Sequence, residues 1–560
     1  MHSTANAFGR RAWMKGAAAA ALAPASPALA APRLAEPGCE TTIATDASAI
    51  TETTAGKVRG FTRNGIYTFK GIPYAASTAG AARFLPPAKA KPWTGVRSCM
   101  YYGPVCPQVE RTGWANDEVA WLFNWDDGQP GEDCLRLNIW TPALKDNRKR
   151  PVMVWLHGGG FVAGSGQEHP GYNGENLSRR GDVVVVTINH RLGVLGYLNL
   201  AELGGEKYVR SANAGMLDIV ACLEWVRDNI GNFGGDPSNV TIFGQSGGGA
   251  KVTALMAMPS AKGLFHRAIV QSGSSLRMAR PENTAKLAAA TLSELGVSPS
   301  QIGRLHEIPA AQLIAAGSAA LKKLTPAGPP AVRVAMADRI GWAPTVDGEV
   351  LPHHPFDPTA PPESSSVPLM VGTTLNEFTT ALGNPEMESM TEEEMTKRVT
   401  TMYGDRAGRI IEAYRKTHPR AKPLDILSYI STAPVRQNAV TQAERKAAQG
   451  GAPAYLYLFA WQTPVLDGRP RAFHCAEIAF AFYNTDVSAT MTGGGPEPRA
   501  LAAKVSDAWI NFARSGNPNH PGLPKWPAYA AGQGATMIFD KKCEVKSDPD
   551  REERALVIKA

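Results

Sequence analysis

The chain has little with which to work through charge. Only 19% of its 560 residues are charged, and its 58 Lys and Arg against 50 Asp and Glu form no long basic block in the body of the chain. A net charge of +8 spread in this way leaves no electrostatic footprint for nucleic acid or an anionic surface, so neither is expected as a partner. No stretch after the first thirty residues is long and apolar enough to span a bilayer. Internal repeats and low-complexity linkers are missing too, which makes one large domain with insertions the simplest organisation. Cysteine is scarce and odd in number: Cys39, Cys99, Cys106, Cys134, Cys222, Cys475 and Cys543 leave at least one thiol free or intermolecular. No metal and no cofactor is expected. A hydrophobic content of 44% is enough for a large core.

The first thirty residues read as a targeting segment. Arg10-Arg11 opens a twin-arginine region, Gly16–Ala23 is a short Ala-rich core, and Ala28-Leu29-Ala30 has the small-residue pattern of a cleavage site. The expectation is a signal peptide over 1–30, a catalytic domain over 31–560, and a periplasmic or secreted protein in which disulfides are permitted.

Downstream, Lys57–Phe61 and Ile66–Lys70 flank Asn64-Gly65, a hairpin signal with a type I′ turn. Pro151–Leu156, Asp182–Ile188, the run into Gln245, Ala268–Gln271, Val367–Gly372 and Ala454–Ala460 read as buried strands. Helical periods occupy Asn213–Ile230 and Leu501–Arg514, and two Ala/Leu-rich stretches, about 280–336 and 387–448, read as helical insertions forming a cap. Continuously apolar strands alternating with helices predict an α/β fold, a mostly parallel sheet with helices on both faces.

The chemistry centres on Gly244-Gln245-Ser246-Gly247-Gly248, a G-x-S-x-G pattern between a β-branched run and a helix. A sharp strand-to-helix turn lifts the Ser246 hydroxyl clear of its neighbours and aims the Gly247 amide at the place where an oxyanion would form. His157-Gly158-Gly159-Gly160-Phe161 follows an earlier strand, and its glycines let successive amides face one way, as an anion site needs. A serine nucleophile needs a base. Of eleven histidines, His474 lies in a loop beyond a strand, whereas His157, His190 and His266 read as structural. Glu377, just after the Val367–Gly372 strand, is the favoured partner for His474; Asp347 is the rival, although Asp347-Gly348 is most simply a turn.

With these motifs in hand the sequence resembles the type-B carboxylesterase and lipase family, which includes bacterial para-nitrobenzyl-type esterases, fungal lipases and cholinesterases. The resemblance runs through Gly71–Tyr74, Arg83–Pro87, Glu132–Asn138, His157–Phe161, Asn189–Gly193, Phe233–Pro237, Gly244–Gly248, Asn376-Glu377 and His474–Ile478, nearly the whole chain after the targeting segment. It implies an α/β-hydrolase fold and an exported serine carboxylesterase. The implied triad is Ser246, Glu377 and His474, the implied oxyanion hole the amides of Gly159, Gly160 and Gly247, and Ser272 and Gln245 would stand behind them. A small ester is the implied substrate. Lipase, polyester or phthalate-type esterase, and an esterase-like binding module are the alternatives. Two positions depart from the family pattern: Gln245, where Glu is common, and Gly247, where Ala is usual. A neutral Gln245 argues against cationic, choline-like esters.

The resemblance also implies a disulfide between Cys106 and Cys134 and an ion pair between Arg83 and Glu132. The loop between the two cysteines carries Trp114, Trp121, Phe123 and Trp125. These rings either pack the loop onto the body or, for Trp125, line the way to Ser246 together with Phe161. The states of Cys39, Cys99, Cys222, Cys475 and Cys543 are left open, as is the oligomeric state.

Overall fold

A computed structural model of the chain describes residues 41–109, 117–325 and 336–558. The targeting segment, Cys39 and Trp114 lie outside the described residues, and everything below belongs to the unit Thr42–Ala560. The main sheet is built from β1 (Thr42–Ile43), β2 (Phe61–Arg63), β3 (Ile66–Pro73), β4 (Arg136–Thr141), β5 (Arg150–Leu156), β6 (Val184–Ile188), β7 (Gly235–Gln245), β8 (Arg267–Gln271), β9 (Leu369–Thr374), β10 (Ala454–Phe459), β11 (Ala535–Phe539) and β12 (Glu544–Ser547). Its twelve strands run in the order β1-β2-β3-β4-β6-β5-β7-β8-β9-β10-β11-β12. From β6 to β11 every neighbouring pair is parallel, and the pairs outside that block are antiparallel.

Alternate residues of these strands enter two separate cores. Val152, Val154, Leu156, Val240, Ile242, Val270 and Val371 face one core. Met153, Trp155, Phe243, Ile269, Met370 and Tyr457 face the other. Side chains alternate along a strand, so burial at every position means that both faces are covered, which is why these strands read as unbroken apolar runs. The helices Ala214–Asn229, Gly247–Leu255, Pro423–Ala448 and Pro496–Ser515 are among those that supply the cover. The two insertion stretches are helical, with helices Pro281–Glu294 and Ala310–Leu324 in the first and Glu392–Tyr403, Ala407–Thr417 and Pro423–Ala448 in the second. No described helix is long and apolar enough to cross a membrane.

Two expectations need correction here. The Asn64-Gly65 hairpin forms, with φ of 50° and 79° at its two turn residues as a type I′ turn requires. Its first strand, however, begins only at Phe61. Gly56–Arg59 pairs instead with Ile50–Thr53 and Val96–Ser98 in a second, three-stranded sheet. The chain changes sheets at Gly60, which lies so close to Thr68 that a Cβ there would come within 2.1 Å of its carbonyl oxygen.

The second correction concerns Cys106 and Cys134, which are free, buried thiols and not a disulfide. The Cys134 thiol is hydrogen-bonded to Cys106, and that bond together with burial holds it well above the ordinary thiol range. Cys106 Sγ also accepts from the Leu192 amide at 3.2 Å. The ends of the loop are tied differently. Arg83 clamps Glu132 in a bidentate pair, Nε to Oε2 at 2.6 Å and Nη2 to Oε1 at 2.5 Å, and its Nη1 donates to the Leu305 carbonyl at 2.9 Å. Breaking such a pair from one side costs about 3–5 kcal/mol. The cost arises because the partner's charge is left enclosed and unpaired, so Glu132, at the end of the loop, is tied to the body through Arg83.

Candidate active site

β5, β7, β8, β9 and β10 are consecutive in the sheet, and each ends at a residue the sequence singled out. The glycine loop follows β5, Ser246 follows β7, Ser272 follows β8, Glu377 lies beyond β9 and His474 beyond β10. Functional groups gather at the carboxyl ends of parallel strands because the loops there open on one side of the sheet.

Ser246 adopts φ 57°, ψ −123°, a strained conformation for a residue with a side chain. The turn is held by its neighbours. Ser246 N–H donates to the Gln271 carbonyl at 2.7 Å, and its own carbonyl accepts from Ala250 at 3.0 Å as the following helix begins. The turn closes tightly on β5, since a Cβ on Gly248 would lie 1.9 Å from the Leu156 carbonyl oxygen.

The loops after β9 and β10 are joined by backbone hydrogen bonds. Asn376 N–H donates to Ala472 O at 3.1 Å and His474 N–H to Glu377 O at 2.7 Å. Asn376 Oδ1 accepts from the Ala472 amide at 3.2 Å. This brings the Glu377 carboxylate to His474: Oε2 lies 2.5 Å from Nδ1, while Oε1 accepts from Thr374 N–H at 3.0 Å. Both side chains are buried. The rival Asp347 is occupied elsewhere, its Oδ1 accepting from the Glu349 and Leu351 amides at 3.0 Å and its Oδ2 from Asn213 at 2.8 Å, as a turn residue. Gln245, fully buried, reaches the same imidazole. Its amide nitrogen lies 3.2 Å from Nε2 and 3.3 Å from Nδ1, and its oxygen accepts from Cys475 Sγ–H at 3.1 Å. Gln245, which precedes Ser246 in the chain, is thereby in contact with His474.

Gly159 and Gly160 have φ of 74° and 64°, which curls the loop towards the serine turn. An ideal Cβ on Gly247 would come within 2.3 Å of Gly160 O and 2.4 Å of Gly160 N. The Gly160 and Gly247 backbones therefore meet in van der Waals contact, and only a glycine fits at 247. Ser272 lies between Gln271 and Gly273, whose backbones touch the turn, and its hydroxyl is buried without a hydrogen-bond partner among the described residues.

His157 and His190 stack at 4.9 Å between ring centroids, and burial holds both well below the ordinary histidine range. His266 Nδ1 accepts from Val240 N–H at 3.2 Å. All three serve packing and backbone hydrogen bonding. Phe161, expected in a substrate pocket, is 1% exposed, packed edge-on against Tyr197 at 5.4 Å. A ring so enclosed is a packing residue, which corrects that expectation. Trp125 is partly buried, lies edge-on to Phe123 at 6.1 Å and stacks on His169 at 6.3 Å, with Nε1–H donating to Asp127 at 2.8 Å. Phe123 in turn meets Phe473, the residue before His474, at 5.8 Å. Trp125 and Phe123 thus pack onto the body in a chain of rings that reaches Phe473, next to His474, whereas Trp121 is 49% exposed.

Three neighbours escaped the sequence reading. Phe378 packs its ring on His474 at 3.9 Å while remaining 46% exposed. Glu477 is fully buried, and burial, then the charge of Glu377, pushes its carboxyl up to about 8. Lys251 lies fully buried on the helix after Ser246, and desolvation pulls its ammonium down to about 7. A lysine within the apolar run Ala250–Met258 was the available signal for the last of these.

Comparison with known proteins identifies the family. The carboxylesterase family profile matches residues 47–557. The para-nitrobenzyl esterase of Bacillus subtilis is 35% identical over 514 residues, covering 90% of this chain and 97% of that protein. The phenmedipham hydrolase of Pseudarthrobacter oxydans is 33% identical over 519 residues, 91% of this chain and 98% of that one. Among solved structures, a Geobacillus stearothermophilus carboxylesterase superposes with a TM-score of 0.75 at 37% identity, covering 91% of this chain and 99% of that chain. An esterase from Clostridium hathewayi, described as able to hydrolyse aliphatic aromatic polyesters, superposes with a TM-score of 0.78 at 37% identity, covering 93% and 99%. With a shared profile over almost its whole length and the α/β-hydrolase sheet those relatives share, this chain belongs to the carboxylesterase family and is a carboxylic ester hydrolase.

Proposed function

We propose that the protein hydrolyses carboxylic esters through an acyl-serine intermediate on Ser246. The observation that carries this reading is the contact of the Glu377 carboxylate with His474 Nδ1 at 2.5 Å, with the imidazole also meeting Gln245, the residue that precedes Ser246. With Nδ1–H donated to Glu377, the proton-free Nε2 is the base. Ser246 Oγ attacks the ester carbonyl as His474 Nε2 takes its proton. The negative charge on the carbonyl oxygen falls to the amides of Gly159, Gly160 and Gly247. Collapse expels the alcohol, which receives the proton from His474, and water repeats the sequence on the acyl-serine. Glu377 stays ionised and stabilises the imidazolium. A fluorophosphonate probe tests the reading directly: phosphonylation is expected at Ser246, and an unlabelled Ser246 in folded protein contradicts it and favours a binding module.

Phe378, half-exposed against the imidazole, and the ring chain from Trp125 to Phe473 support esters with an aromatic or bulky group near the scissile bond. The neutral Gln245 beside His474 supports an uncharged substrate over a cationic one.

The close fit of Gly247 supports its role in the oxyanion hole. Gly247→Ala, although it restores the residue usual in the family, would drive a methyl into the Gly160 peptide, and that peptide must move. Displacing one oxyanion donor costs on the order of 10²-fold in kcat, so a loss of that size with KM little changed is expected. Unaltered kcat would remove Gly160 from the hole.

Export by the twin-arginine route belongs to the same proposal and rests on Arg10-Arg11 and Ala28–Ala30. Replacing both arginines by lysine should leave full-length protein in the cytoplasm of an expressing bacterium. Unchanged activity in the periplasmic fraction would count against this route.

A further inference from the structure

Lys251 has no role in the mechanism above, yet its position is costly. It is fully buried, sits in the first turns of the helix Gly247–Leu255 whose positive end disfavours a cation, and takes part in no ion pair among the described residues. The nearest named counter-charge, Glu168, spends its carboxylate on Tyr172 O–H at 2.8 Å and Ser165 N–H at 2.8 Å. Lys251 Nζ instead donates to two backbone carbonyls of the glycine loop, His157 O at 2.9 Å and Gly158 O at 3.4 Å. Long side chains on a helix lean towards its N-terminus, which carries the ammonium from residue 251 back to the loop.

The two carbonyls lead directly to the hole. The peptide that carries Gly158 O carries Gly159 N–H at its other end. Gly158 O also lies 3.1 Å from His157 Nδ1, which in the Nδ1–H tautomer donates to it. The carbonyls behind the other two proposed donors are also bonded, Gly159 O to Ala163 N–H at 3.1 Å and Ser246 O to Ala250 N–H at 3.0 Å. These are neutral backbone bonds, whereas Gly158 O also receives the Lys251 amino group at 3.4 Å, which is charged below its lowered pKa of about 7. A hydrogen bond to a carbonyl polarises its peptide and strengthens the N–H as a donor, more so in a low-dielectric interior.

We infer that Lys251 is a positioning residue of the oxyanion hole, holding the His157–Gly159 backbone in place and polarising the Gly158–Gly159 peptide so that its amide meets the developing oxyanion as a stronger donor. This rests on the assignment of Gly159 to the hole made above. The contribution is greatest where negative charge sits on the carbonyl oxygen, so it acts on the transition state more than on bound substrate.

The test compares Lys251→Met with a buried lysine elsewhere. Lys446 is equally enclosed and binds Ser364 O at 2.7 Å, Ser365 O at 3.0 Å and Gln449 Oε1 at 2.8 Å, outside the site residues. Fluorophosphonate labelling of the wild type is scored first; its absence at Ser246 overturns the parent reading and this one with it. Then kcat and KM on an aryl ester are measured for each variant, with the Ki of a trifluoromethyl ketone, which forms a tetrahedral oxyanion on the serine. For Lys251→Met, kcat should fall by about 10–100-fold and Ki rise by a similar factor, with KM within about twofold. Lys251→Gln, which keeps a donor but no charge, should fall between, and serves in place of the Met variant if that one does not fold. Lys446→Met should lower Tm with kcat and Ki within about twofold of wild type. Labelled Ser246 with unchanged kcat and Ki in a folded Lys251 variant overturns this inference alone, as does a fall of kcat that tracks Tm equally in the Lys251 and Lys446 variants.

Discussion

Ser246→Ala should lower kcat on carboxylic esters by about 10⁴–10⁶-fold, a loss of roughly 5–8 kcal/mol of transition-state stabilisation. The size follows from the chemistry: without Oγ there is no acyl-enzyme, and what remains is binding and oxyanion stabilisation around a water attack. The substitution is clean because alanine meets the same backbone demand. The strain at φ 57°, ψ −123° arises from the tight turn and its bonds to Gln271 and Ala250, not from the hydroxyl. The Tm should therefore stay near that of the wild type. The check is kcat and KM on a chromogenic ester for protein shown folded by circular dichroism, with mass spectrometry for loss of phosphonylation. Near-wild-type turnover in that variant would remove the acyl-serine mechanism.

Glu377→Gln should reduce activity by about 10³–10⁴-fold, whereas Asp347→Asn should change it far less. A carboxylate at residue 377 fixes His474 with its proton on Nδ1 and its lone pair on Nε2. The glutamine amide can present N–H to Nδ1, which selects the opposite tautomer and leaves Nε2 protonated and unable to act as a base. The imidazolium formed during attack also loses its counter-charge, and Glu477, whose Oε1 accepts from Gln271 at 3.4 Å and not from the imidazole, does not take its place. Asp347 makes only turn and Asn213 contacts, so its amide variant disturbs the turn and not the imidazole. Measuring kcat/KM for both variants against pH decides the ranking; a greater loss at 347 would assign the acid there instead.

The accuracy of the sequence reading followed how local each signal was. The strands that became β5, β6, β8, β9 and β10 were legible because burial on both faces writes itself as a short unbroken apolar run. β4 and β11 were not read as strands. β4, Arg136–Thr141, is broken by Asn138, whose side chain bonds Gly71 N–H and Thr187 across the sheet, and a polar residue satisfied at that distance carries no local sign of burial. The hairpin turn was legible and its first strand was not, because Gly60 redirects Gly56–Arg59 to a partner sheet. Trp125 was readable as an aromatic on a loop, but its stacking partner His169 depends on the fold.

By itself the sequence determined the fold class, the strand-to-helix turn at Ser246, the glycine loop and a short set of candidate acids and bases, since each rests on residues within a few positions of one another. The tertiary structure alone decided which carboxylate meets His474, because Glu377 and His474 are 97 residues apart and are joined by bonds between two loops that only neighbouring strands bring together. It alone left Cys106 and Cys134 as thiols with Arg83 and Glu132 anchoring the loop, and buried the Phe161 ring. It also placed Lys251 against the carbonyls of a loop 93 and 94 residues earlier. The physical reason is common to all four: local backbone preference is set by neighbours along the chain, whereas charge pairing, thiol environment and burial are set by neighbours in space.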